Sequence, residues 1–146
     1  MAVTSATVLD ASWEAVRSIL ASDTTISNML NDPIRSAYTK EFIEQASGMP
    51  LLVIHKPNAV ETSITLNNSK VWRIEMQIDS VTARAEDAKL LADAVRNALE
   101  TSQDTLESNK LFNFRVVSET EDFDIIGGRK IVHYDIMTVA FDYTGD

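Results

Sequence analysis

The sequence predicts an α+β domain: an antiparallel or mixed sheet of about four to five strands, one long helix packed on it, and a helical segment ahead of it. Three observations carry that prediction. Trp72, Ile74, Met76 and Ile78 alternate strictly with Arg73, Glu75, Gln77 and Asp79, the period of a strand with one face in the core. Ala88, Leu91, Ala92, Val95, Ala98 and Leu99 then fall on one helical stripe, opposite Lys89, Asp93, Arg96 and Glu100. Beyond them two extended runs flank Gly127-Gly128, the composition of a hairpin.

At the N-terminus, Asp10 or Ser12 is placed to cap a helix through Trp13, Val16, Ile19 and Leu20, with Leu9 against its first turn. The pattern weakens at Asp23-Thr24-Thr25, resumes in Ile26, Met29 and Leu30, and ends at Asn31-Asp32-Pro33, where proline blocks continuation. Thr39 to Ala46 reads as a further short helix, stopped by Gly48 and Pro50. Leu51-Leu52-Val53-Ile54 is a continuous apolar run, hence a strand buried on both faces or lying under the N-terminal helices. Val60 to Leu66 follows as another strand, turned back by Asn67-Asn68-Ser69.

After the alternating strand, Ser80 or Thr82 is a cap candidate for the long helix, and Glu86 and Asp87 in its first turns suit the helix dipole. Leu90 and Ala94 lie beside its stripe and widen it past the ~100° that a single core contact requires. In the closing hairpin Phe112, Phe114 and Val116 alternate with Asn113 and Arg115, and Ile131 to Tyr143 returns. The returning strand changes phase: Val132, Tyr134 and Ile136 share one face, whereas Met137, Val139, Phe141 and Tyr143 share the other. A bulge, a crossing between packing environments, or a neighbouring subunit over one end produces such a change. The chain reads as one domain over residues 1–146, with a helical part at 1–49 and the sheet and long helix at 50–146.

Composition narrows the function. With 146 residues and 45% hydrophobic content the chain can bury a core. Its 22 acidic and 13 basic residues leave a net charge of −9, which opposes a grip on phosphate backbones. There is no cysteine, so no disulfide or thiolate chemistry is expected. No membrane contact is expected either, since no segment reaches the roughly 18 apolar residues of a span, and Met1 to Leu9 lacks the basic start of a secretory leader. Synthesis in a cytoplasm follows as the expectation. Asn67-Asn68-Ser69 matches a glycan acceptor but reads better as a turn.

No catalytic, cofactor-binding or metal-binding set emerges. The two histidines, His55 and His133, sit on different strands, without the paired spacing of a zinc helix. Asp122-Phe123-Asp124 fails as a calcium loop, because Ile126 and His133 fall where oxygen ligands are needed. Gly127-Gly128-Arg129-Lys130 has cations but no helix to follow it, and no nucleophile elbow or phosphate loop is present. Carboxylate pairs for acid–base work stay open, and nothing in the spacing selects one. Glu119, Glu121, Asp122 and Asp124 make either a solvated hairpin arm or a docking edge.

Apolar material is left over: the widened helix stripe, the two-phase strand, and Phe123-Asp124-Ile125-Ile126 near the hairpin tip. The order of elements resembles the tail-terminator and tail-completion proteins of tailed bacteriophages, most closely in the passage from Trp72 to Leu99, where the alternating strand runs through a short polar turn into the long helix. The resemblance extends in outline from Leu51 to Tyr143. It implies a virion protein at the tail–neck junction: a homo-oligomeric ring, usually hexameric, that ends the tail tube, meets the head connector, and lets DNA pass through a channel. It carries no catalytic residues.

By position, Leu90, Ala94, Met137, Val139 and Phe141 are the expected intersubunit contacts, and Phe123, Asp124, Ile125 and Ile126 the expected docking site for a tube or connector partner. The alternatives are another neck or head-completion protein and, in a different class, a small enzyme or ligand-binding module with its site between helix and sheet.

Overall fold

Among the residues that the computed structural model describes, 5–30, 33–36, 49–55, 57–64, 70–126, 128 and 130–145, nine elements follow one another. They are helix α1 (Ser5–Ser22), helix α2 (Thr24–Met29), strands β1 (Leu51–Ile54), β2 (Asn58–Ile64) and β3 (Lys70–Thr82), helices α3 (Ala85–Thr101) and α4 (Gln103–Ser108), and strands β4 (Leu111–Ile126) and β5 (Lys130–Gly145). The helix expected at Thr39 to Ala46 and the turn at Asn67-Asn68-Ser69 lie outside the described residues.

β3 organises the sheet. β5 runs antiparallel along its whole length on one side, from Lys70↔Gly145 to Thr82↔His133. On its other side β2 pairs with its first half and β1 with its last turns, and β4 pairs with β5 as an edge. Every named pairing is antiparallel, and one parallel bridge joins Arg35 to Val53.

The helices cover one face. Ile74, Met76 and Ile78 of β3 and Met137, Val139, Phe141 and Tyr143 of β5 meet Val16, Leu20 and Ile26 from the N-terminal helices and Leu91, Val95 and Leu99 from α3. The six stripe residues of α3 are the six it buries. Trp13 adds a polar tie: its indole Nε1 donates to the Ile54 carbonyl at 2.9 Å.

Several local expectations need correction. α1 begins at Ser5, so Asp10 and Ser12 lie inside it rather than capping it. The break at Asp23 is itself a cap: its Oδ1 accepts from the Ile26 amide at 3.0 Å and starts α2. Neither Ser80 nor Thr82 caps α3. Arg84 occupies that position without a side-chain cap bond, and the Thr82 hydroxyl donates to the Arg84 carbonyl instead.

The phase change of β5 has a structural reason. Its register with β3 is continuous, and the irregularities fall in β4, between Phe112 and Arg115 and between Val116 and Ser118. β5 crosses between packing environments. Val132 is buried in a second cluster with Leu51, Val53, Val81 and Ile126, on the face away from the helices, whereas Met137 to Tyr143 pack under them.

Candidate functional site

β4 and β5 are each 16 residues long, but β3 stops at Thr82, opposite His133. Past that point they continue as a two-stranded arm, turned at Gly128, whose φ of 76° is open to glycine without strain. Two strands alone are marginal in water. The arm is held because Ile126 (4% exposed) and Val132 pack on Leu51, Val53 and Val81 of the sheet, with Met49 and Tyr134 beside them.

Its other face has no such cover. Phe123 is 63% exposed, Ile125 56% and Ile131 49%. Strand alternation puts these three on one side: Ile125 lies directly opposite Ile131, and Phe123 opposite His133, with their rings 6.4 Å apart. Between this face and the first turn of α3 runs a groove of ≈ 160 Å³ lined by Ala85, Ala88, Glu121, Phe123 and His133. That is smaller than the few hundred Å³ of a typical small-molecule site.

An ion cluster fixes the root of the arm to α3. Lys89 Nζ donates to Glu119 Oε1 at 3.0 Å, and Arg96 donates to Glu119 Oε2. Burial alone would raise the Glu119 carboxyl, but the Lys89, Asp135 and Arg96 hydrogen bonds outweigh it and hold Glu119 below the usual glutamate range. Asp135 is the counterpart. It is fully buried beside Glu119, and neither of its oxygens meets a nitrogen donor. Burial first, then the neighbouring Glu119 carboxylate, push it up to about 7. Near neutral pH Asp135 is therefore partly protonated, and its titration is tied to the charge on Glu119.

The expected site residues separate into three groups. Phe123 and Ile125 stand exposed on the bare face of the arm, and Asp124 is half-buried with its Oδ1 accepting from the Ile125 amide at 2.9 Å. Leu90 is 58% exposed on the outward side of α3, while Ala94 is half-buried at the margin of the core. The remaining four are corrected. Met137, Val139 and Phe141 are buried under this chain's own helices, and Ile126 is buried in the second cluster, so these side chains present no surface to another molecule. Ile131, Phe112 and Val117 are exposed apolar positions that sequence reasoning did not single out, although the Ile125–Ile131 pairing follows once the turn at Gly127-Gly128 is accepted.

The histidines do not meet. His55 Nε2 lies 2.8 Å from Asp79 Oδ2, and Gln77 donates to the other oxygen of Asp79 at 2.9 Å, a polar tie between the end of β1 and β3. His133 sits across the sheet on the arm. Among the described residues no group of acidic and histidine side chains could hold a metal ion, and no helix is long and apolar enough to cross a membrane.

No curated protein sequence matches the chain. Among solved structures it is similar to a chain from the virion of a native gene transfer agent particle, with a TM-score of 0.56 and 14% identity over 90% of this chain and 93% of that one; this likeness concerns the fold. A family model described as tail completion protein gp17 matches residues 14–139, nearly the whole of the sheet and helix layers described above. The chain therefore belongs to the tail completion protein gp17 family and is a structural protein of the phage tail.

Proposed function

We propose that the chain forms a closed ring, hexameric by the family resemblance, that ends the tail tube and joins it to the head connector, with DNA passing through its channel. The observation that carries this reading is the bare face of the hairpin arm. Phe123, Ile125 and Ile131 lie together on a ribbon whose opposite face is already packed, so they are not waiting for any part of the described chain to close over them. Burying a side chain of this kind is worth about 1.5–3 kcal/mol, and three together exceed what an exposed ion pair contributes. An assembly role follows from surface of that kind on a rigid support. Leu90, with Ala94 beside it, is a subsidiary contact on α3. The net charge of −9 suits a channel wall that does not hold DNA.

Native mass measurement on the purified protein, alone and mixed with bare tail tubes, tests this. The expected result is a ring in solution, or a monomer that becomes a ring on one end of the tubes. A strict monomer that never associates with tubes contradicts it.

A further inference from the structure

We propose that Asp122 and Asp124 keep the arm from pairing edge to edge with other chains, by capping the backbone amides that β4 would otherwise offer to an incoming strand. This goes beyond the ring reading and does not depend on it. β4 ends the sheet: among the described residues it pairs with β5 alone, which leaves the other edge of a 16-residue strand open. An open edge of that length is a template for strand addition.

The two parts of this edge are guarded in different ways. Over the first part the row of backbone groups is broken: the register shifts between Phe112 and Arg115 and again between Val116 and Ser118, and Asn113 stands at a φ of 57°. From Ser118 to Ile126 the pairing is regular. Alternate residues of such a ladder turn their amides to the partner strand, and those between turn them outward. Ile126↔Lys130 closes the hairpin, so the amides of Phe123 and Ile125 belong to the outward set. Both are already occupied. Asp122 Oδ1 accepts from the Phe123 amide at 2.8 Å, and Asp124 Oδ1 accepts from the Ile125 amide at 2.9 Å.

The chemistry of these caps fits a block. They fall on the stretch that carries the exposed Phe123 and Ile125, side chains that favour strands and would reward an added one. An incoming strand must displace both carboxylates to reach the amides. The strand that matches this edge in length and shape is the same edge of a second copy. Antiparallel self-pairing about Asp122 would set Glu119, Glu121, Asp122 and Asp124 of one copy against the same residues of the other, with no basic residue between Ser118 and Ile126 to offset them. The bare face is thus carried on a strand whose edge is closed to sheet growth.

The test compares the full chain with two double variants. Asp122→Ala/Asp124→Ala removes caps and charge, whereas Asp122→Asn/Asp124→Asn removes the charge and keeps a carbonyl oxygen for each amide. Circular dichroism verifies the fold, sedimentation velocity reads size, and amide exchange reads the edge. The alanine variant is expected to form species larger than any of wild type at the same concentration. Exchange at its Phe123 and Ile125 amides is expected to slow at least about tenfold from dilute to concentrated samples. The asparagine variant is expected to associate more weakly than the alanine variant. Should the double alanine change cost the fold, Asp124→Ala alone replaces it, with the Ile125 amide as the reporter. An alanine variant that keeps the wild-type size distribution, or that associates with those two amides still exchanging at their dilute rate, overturns the proposal. Equal association of the two variants also overturns it, since charge alone would then be the block.

Discussion

The two halves of the β4–β5 hairpin have similar apolar content and opposite fates. In the part nearest the start of β4 and the end of β5, Leu111 of β4 and Met137, Val139, Phe141 and Tyr143 of β5 are buried in the core that the helices cover. At the distal end, opposite and beyond the last residue of β3, the same pair of strands is packed on one face by Ile126 and Val132 and left bare on the other. The chemistry of the side chains does not separate the halves. What separates them is where the third strand and the long helix stop. A bare apolar face on a held ribbon is costly in an isolated chain, and its use is association.

The largest expected effect breaks the comparison at its buried end. Phe141→Ala removes a fully buried ring that packs on Phe114 at 5.4 Å and should cost about 3–5 kcal/mol in urea unfolding. Phe123→Ala, the same change on the bare face, should fall within about 0.5 kcal/mol of wild type. Equal losses at the two positions would remove the distinction between the halves.

A smaller effect concerns the packing that holds the arm. Ile126→Ala should cost about 2 kcal/mol, the low end for such a truncation because its cluster is small. Amide exchange should quicken at residues 123–132 ahead of the strands paired with β3. Uniform quickening over the whole sheet would mean that the arm does not open as a separate unit.

A different kind of effect is a pH dependence seated at the arm's root. Asp135 titrates near about 7 in the folded chain and near ~3.9 unfolded. Between those values the folded state binds more protons, so its stability falls as pH rises and levels off above about 7. Glu119, held low, acts in the opposite sense only toward the acid end. Lys89 and Arg96 from α3 and Glu121 from β4 complete the charged surroundings, with Ser80 across on β3. Asp135→Asn keeps the size of the side chain and cannot ionise. Its melting temperature should lose the downward slope between about pH 5 and 7.5, whereas parallel curves for variant and wild type would place the slope elsewhere.

Legibility in the sequence followed periodicity. The stripe of α3 named the six residues that helix buries, and the alternation of β3 named Ile74, Met76 and Ile78, because a repeated period averages over local exceptions; Asp79, expected on the outward face, is buried with Ser80, Val81 and Thr82 where β1 and β5 flank the end of β3. The phase change of β5 was visible, but its cause was not: it depends on β3 ending opposite His133, a register set by pairing between distant segments. For the same reason Met137, Val139 and Phe141 looked as available to a neighbour as Phe123. Ile126 looked like part of the arm's outer surface because it follows Ile125, yet one residue along a strand reverses the face. Asp135 gave no signal, since a lone Asp in an alternating strand reads as solvent-facing.

The most direct test is cryo-electron microscopy of the protein bound to tail tubes. The expected map has a ring at one end of the tube, with Phe123, Ile125 and Ile131 of every copy covered by another protein chain. A map that leaves those three facing solvent in every copy would contradict the claim that the bare arm is the assembly surface.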